Sequence, residues 1–172
     1  GTVHHQDVVF ETLRERGIRA AAGKAMMDDA SEGVPPGLSE STATSIDTSM
    51  RFAERWHGAC DDLLRYAFAP RFVLSCTEEL QRQVGELAAT HGYGIHTHAS
   101  EQRDEIAIIE RRSGRRNVAW LRDLGLCGPR SVFAHGVHLD DTEREILRDT
   151  RTTICHCPSS NLKLGSGICD VV

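Results

Sequence analysis

The sequence has no apolar run of the roughly 18 to 20 residues that a bilayer-crossing helix requires, so a membrane partner is not expected. It has no basic surplus either: 20 Lys and Arg stand against 25 Asp and Glu, a net charge of −5. Proteins that neutralise phosphates usually present positive charge, so nucleic acid is not expected as a partner. The N-terminus shows no charged-then-apolar leader, and residue 1 is Gly rather than Met, which reads as a start that is missing or processed away. No repeat of 20 to 50 residues and no low-complexity segment is visible. Six cysteines (Cys60, Cys76, Cys127, Cys155, Cys157, Cys169) form no tight framework. They read as reduced thiols of a cytoplasmic protein. Cys155-His156-Cys157 lacks the second half that a zinc knuckle needs.

What is present is an alternation of helical and extended patterns within 172 residues. Residues 6–16 read as a helix stopped by Gly17, and 18–27 as a strand. A loop holding Pro35, Pro36 and Gly37 follows. Residues 40–57 carry Ile46, Met50, Ala53 and Trp56 at helical spacing. Residues 64–70 are extended, and Ser75 or Thr77 offers a cap to a helix running to about His91. Then come a strand over 93–99, a helix over 101–112, a shorter helix in NVAWLRDLGL, and a strand over 131–136. Asp140 and Glu143 form a capping pair for the next helix, and 152–156 is a strand. The basic cluster RRSGRR (111–116) reads as a solvated helix end and turn. Five strands alternating with helices indicate a parallel α/β sheet. Length favours a complete doubly wound sheet over a (β/α)8 barrel, which needs about 250 residues.

The strand ends favour the barrel. His98, His135 and His156 each close a strand, and the extended run 64–70 leads into Arg71. Metal-competent groups at successive carboxyl ends spread along the edge of a flat sheet but converge in a barrel. Side chains alternate along a strand, so His96 and His98 share a face, with His98 nearer the carboxyl end. Glu101 falls in the following turn, where a carboxylate can act as a proton shuttle or as a helix-start acid.

The stretches HTHASEQRDE, FAHGVHLDD and HCPSSNLKLGSGI resemble strands 5, 6 and 7 of the amidohydrolase superfamily, and APRFVLSCTEEL resembles strand 4. TVHHQDVVFETLRERGIRAAAGKAMMD is similar to the segment from strand 2 through strand 3. The resemblance is to the aminohydrolases of cyclic amidines: 5'-deoxyadenosine deaminases, guanine deaminases and triazine hydrolases. It implies that the whole chain, 1–172, is part of a (β/α)8 catalytic barrel, about strands 3 to 7, lacking strand 1 and strand 8. The implied activity is hydrolytic deamination of a purine, nucleoside or related heterocycle in the full-length protein. Expulsion of chloride or an alkylamine by a triazine-type enzyme is one alternative. A catalytically silent fragment, or a non-catalytic α/β binding domain, is another. By the same resemblance His98 is a metal ligand, Glu101 the proton-transferring catalytic acid, and His135 a residue that ligates the metal or orients its water. Arg71 and Phe72 contact the substrate, and His156 supports the substrate side. His96 packs the barrel or supports the site, and Asn161 and Lys163 stabilise their loop. One divalent metal is implied: zinc, with iron or manganese as alternatives. The implied partners are a small heterocyclic substrate and, in the full-length form, further copies of the protein. The family's strand-1 His-x-His pair and strand-8 aspartate have no counterpart here. His4-His5 are adjacent and cannot replace the pair, because adjacent strand residues face opposite ways.

Overall fold

In the computed structural model, residues 5–31 and 36–170 are described; His4 and Pro35 lie outside them. Among the described residues the sheet holds six parallel strands: β1 (Ala20–Ala22), β2 (Ala25–Met26), β3 (Leu64–Pro70), β4 (Gly94–Ala99), β5 (Ser131–His135) and β6 (Thr153–Cys155). The helices are α1 (Gln6–Arg16), α2 (Thr42–Trp56), the short α3 (Ala59–Asp62), α4 (Glu78–His91), α5 (Arg103–Ser113), α6 (Asn117–Asp123), α7 (Asp141–Thr150) and α8 (Pro158–Lys163). The strands lie in chain order, β1 or β2 beside β3, then β4, β5 and β6. A doubly wound sheet reverses order at a switch point. This one never does, so the doubly wound alternative gives way to the half-barrel.

Burial agrees. Along β3, Leu64, Tyr66, Phe68 and Pro70 are buried, whereas Arg65 is exposed. Leu64, Tyr66 and Phe68 pack beneath the helices in one core with Phe10, Trp56, Leu80, Ile109, Leu121 and Phe133. Phe10 of α1 stacks on Trp56 of α2 with ring centroids 5.3 Å apart, which fastens the first helix to the layer. On the other face of the sheet, Ala21, His96, Val132, Thr153 and Cys155 are exposed. That inner face is floored by small residues and forms an open trough of about 520 Å³ along Ala67, Ala69, Gly94, His96 and Val132.

The strand expected over 18–27 is interrupted. β1 and β2 keep one register against β3, with Ala20 opposite Leu64 and Ala25 opposite Ala69, but Gly23 and Lys24 drop out of the pairing. Gly23 passes so close to β3 that a Cβ there would lie 1.7 Å from the Ala67 carbonyl oxygen. Lys24 is 1% exposed. Its ammonium group bonds the Ala25 carbonyl and the Glu40 carboxylate. Burial pulls the Lys24 pKa down against the opposing pull of Glu40.

Most caps fall where the sequence places them. Gly17 ends α1 in left-handed backbone, φ 64°. Asp140 and Glu143 form a reciprocal capping box at α7. Of the two candidates for α4, Thr77 is the cap: its Oγ1 accepts from the Leu80 N–H at 3.1 Å. Ser75 instead ends a 3-10 turn and offers its carbonyl to the N–H groups of Asp28 and Asp29. Thr77 is also held by Asp28, which accepts from its N–H at 2.7 Å and its hydroxyl at 2.6 Å. Thr77→Ala removes the cap and the hydroxyl half of this tie, while the backbone N–H bond to Asp28 stays. We expect a loss of about 1–2 kcal/mol in chemical denaturation; an unchanged midpoint would show that neither contact stabilises the fold.

RRSGRR divides. Arg111 and Arg112 are exposed at the helix end and Gly114 is its left-handed cap. Arg116, however, reaches inward to Glu143 at 3.0 Å, Asp140 at 2.8 Å and the His138 carbonyl at 2.7 Å. The solvated reading fails for Arg116 because Glu143, 1% exposed in its side chain, needs a cation. The six cysteines are free thiols. Burial pushes the Cys76 thiol up to about 12, so it stays protonated and packs as an apolar group. No helix among the described residues is long and apolar enough to cross a membrane.

Candidate active site

The carboxyl ends of β3, β4 and β5 bring three of the singled-out residues together, His98, His135 and Glu101. The Arg71 carbonyl, just past β3, accepts the His98 backbone N–H at 3.2 Å and lies 2.6 Å from the His98 Nδ1. A carbonyl can only accept, so Nδ1 carries the hydrogen and Nε2 keeps its lone pair. Burial, above all, holds the His98 pKa below the usual imidazole range. The nearby His135, His96 and Arg71 add to that, and the Arg71 carbonyl opposes it. A neutral imidazole with a free Nε2 is the form that ligates metals.

His135 reaches the same place by a different route. Alternation along β5 would send it to the helix side with buried Ser131 and Phe133. Its φ of 79° takes the chain out of strand geometry. The ring then stands 5.3 Å from that of His98, centroid to centroid. A non-glycine residue held in left-handed backbone costs about 1–3 kcal/mol and is typical of functional positions.

Glu101 lies in the turn, with its Oε2 3.4 Å from the His135 Nε2. The helix expected from residue 101 begins at Arg103. The displacement has a cause: the buried Glu105 carboxylate accepts the N–H groups of Glu101 at 3.1 Å and Gln102 at 3.4 Å. Those groups are thereby held outside the helix. Asn117 bonds the other oxygen of Glu105.

The other candidates are less gathered. Arg71 is exposed, with its guanidinium 5.3 Å from the centroid of the half-buried Phe72 ring. His96 is exposed on the inner face and stacks on His98 at 6.0 Å. His156 sits just past β6 and is exposed. Lys163 is exposed at the end of α8. Asn161 is completely buried and bonds His135, a contact that loop stabilisation does not describe. Among the described residues, no three histidines, cysteines or carboxylates are placed to hold a metal by themselves.

A parallel half-barrel with imidazoles and a carboxylate at its carboxyl edge belongs to the class of (β/α)8-barrel hydrolases. The chain is a member of the Amidohydrolase family, whose profile matches residues 2–172. It is 38% identical over 170 residues to the 8-oxoguanine deaminase of Pseudomonas aeruginosa, covering 96% of this chain and 38% of that protein. The E. coli guanine deaminase structure superposes with a TM-score of 0.92 at 35% identity, over 99% of this chain and 40% of that one. An adenosine deaminase from Xanthomonas campestris with bound zinc superposes with a TM-score of 0.82 at 26% identity, over 95% and 36%. This chain thus spans well under half the length of the relatives it matches.

Proposed function

We propose that the full-length protein is a metal-dependent deaminase of a purine, nucleoside or related heterocycle, and that this chain carries the proton-transferring part of its site. The observation that carries the reading is the Glu101 carboxylate 3.4 Å from the His135 Nε2, beside a His98 whose own Nε2 is free. The neutral imidazole of His98 fits a divalent ion, with His135 as a second ligand or as the group orienting the attacking water. An imidazole-rich donor set suits zinc. Chain outside residues 1–172 supplies the remaining ligands and closes the barrel. When bound, the ion contributes the Lewis acidity that makes water a nucleophile near neutral pH.

This chain's own residues do the rest. Glu101 takes a proton from the attacking water and passes it to the ring nitrogen beside the amine-bearing carbon; the proton left on the new hydroxyl then passes to the amine, which leaves as ammonia as the carbonyl forms. His135 stands beside this carboxylate, its Nε2 3.4 Å from Oε2. Phe72 offers a face for stacking on the heterocycle, and Arg71 donates hydrogen bonds to its carbonyl or nitrogen edge. His156 lines the substrate side. The protein acts in the cytoplasm on a small molecule and works as a homo-oligomer, without nucleic acid or membrane.

The test is an assay of the full-length, metal-loaded protein on guanine, 8-oxoguanine, adenosine-type nucleosides and chlorinated triazines. Ammonia release from a purine or nucleoside is expected. Chloride release from a triazine with no purine turnover would replace this reading with the triazine-type one.

A further inference from the structure

The histidine and the carboxylate of the candidate site are both held from one side by a segment to which the proposed chemistry gives no part. We infer that the segment Asn161–Ser166, returning from β6, is a clamp that positions the His135–Glu101 pair, with Asn161 fixing the imidazole and Ser166 the carboxylate. This rests on the function proposed above for its meaning, but not for its geometry.

The ring of His135 needs such support. Its backbone has left strand geometry, so neighbouring strand residues do not set its direction. The contact that does is to Asn161, whose Oδ1 lies 2.7 Å from the His135 Nδ1. Asn161 is wholly buried, and its Nδ2 is buried without a hydrogen-bond partner. A buried donor left unpaired is costly. The atom that this amide presents to the ring is its oxygen, which can only accept. The His135 Nδ1 then keeps its hydrogen, and Nε2 is the nitrogen turned to Glu101. The same segment continues to the carboxylate. The Ser166 N–H donates to the Asn161 carbonyl at 2.8 Å. The Ser166 hydroxyl, itself bonded by the Gln102 amide, donates to Glu101 Oε1 at 3.5 Å. Both halves of the pair are thus tied to one short piece of chain through side chains that are almost fully buried.

The experiment uses the full-length protein with 15N-labelled histidine. Ring spectra of the metal-free form should show the His135 Nδ1 protonated. In Asn161→Leu only the Glu101 carboxylate remains as an acceptor, so the ring hydrogen should move to Nε2. In the metal-loaded enzyme kcat should fall by about 10–100-fold, as for other groups that orient a site histidine. KM should stay within about twofold, because substrate binding is untouched. Asn161→Asp keeps an oxygen in place and should retain both the Nδ1 hydrogen and most of the turnover. An unprotonated Nδ1 in the unmodified protein would overturn the proposal whether or not any variant folds. So would retention of the Nδ1 hydrogen in Asn161→Leu, or an Asn161→Asp as impaired as the leucine. Failure of the deaminase reading would appear as absent turnover in the unmodified enzyme and would leave the ring measurement to be judged separately.

Discussion

Replacing Glu101 by glutamine in the full-length enzyme is expected to reduce turnover by on the order of 10² to 10⁴-fold, the usual contribution of a positioned acid–base group. Glutamine has nearly the same shape and can still accept from Ser166 at one oxygen, so the turn keeps its form. It cannot shuttle a proton. The carboxylate is not placed to be the main holder of a metal: its nearest ring nitrogen belongs to His135, and His98 is oriented independently by the Arg71 carbonyl. The variant should therefore keep its metal content, its melting temperature and its substrate affinity while losing catalysis. The comparison to make is single-turnover ammonia release with metal analysis on the same sample. Activity within about tenfold of the unmodified enzyme would remove Glu101 from the proton-transfer role.

The second large effect is structural. Gly23→Ala should destabilise the protein by at least about 3 kcal/mol, or prevent soluble accumulation, because overpacking against backbone has no cheap relief. The obstacle at 1.7 Å is the Ala67 carbonyl oxygen in the middle of β3, not the tip of a flexible side chain. To admit a methyl group, β1 must move off β3, or β3 must move and carry with it the Arg71 carbonyl that orients His98. Urea unfolding of the full-length protein measures the loss. A change below about 1 kcal/mol would mean that the first strand is more loosely seated than its register with β3 implies.

How far the sequence foretold this arrangement depends on what kind of signal each residue carries. Caps and turn residues are local: Gly17, Thr77, Asp140 and Glu143 act within a few positions of themselves, and their roles follow from residue type and spacing. The placement of His98 and Glu101 is also local, since one lies at the end of a strand and the other in the turn behind it. His135 is different. Strand alternation alone points it to the wrong side, and only its left-handed backbone brings it back. Arg116 was indistinguishable from the other arginines of RRSGRR until α7 placed a buried Glu143 against it. Asn161 sits 26 residues from its histidine and in a stretch that reads as loop, with no periodicity to mark α8. The break between β1 and β2 also escapes the pattern, because an alanine-rich run with one glycine reads as a single strand.

The sequence by itself determined the order of strands and helices, the residues that close them, and the family to which the motifs belong, because these are properties of short segments and their succession. The tertiary structure decided which face of the sheet is open and that the strands follow one another without reversal. It also decided which nitrogen of His98 faces the site, since a ring's hydrogen goes where a distant acceptor, here the Arg71 carbonyl, has been folded against it.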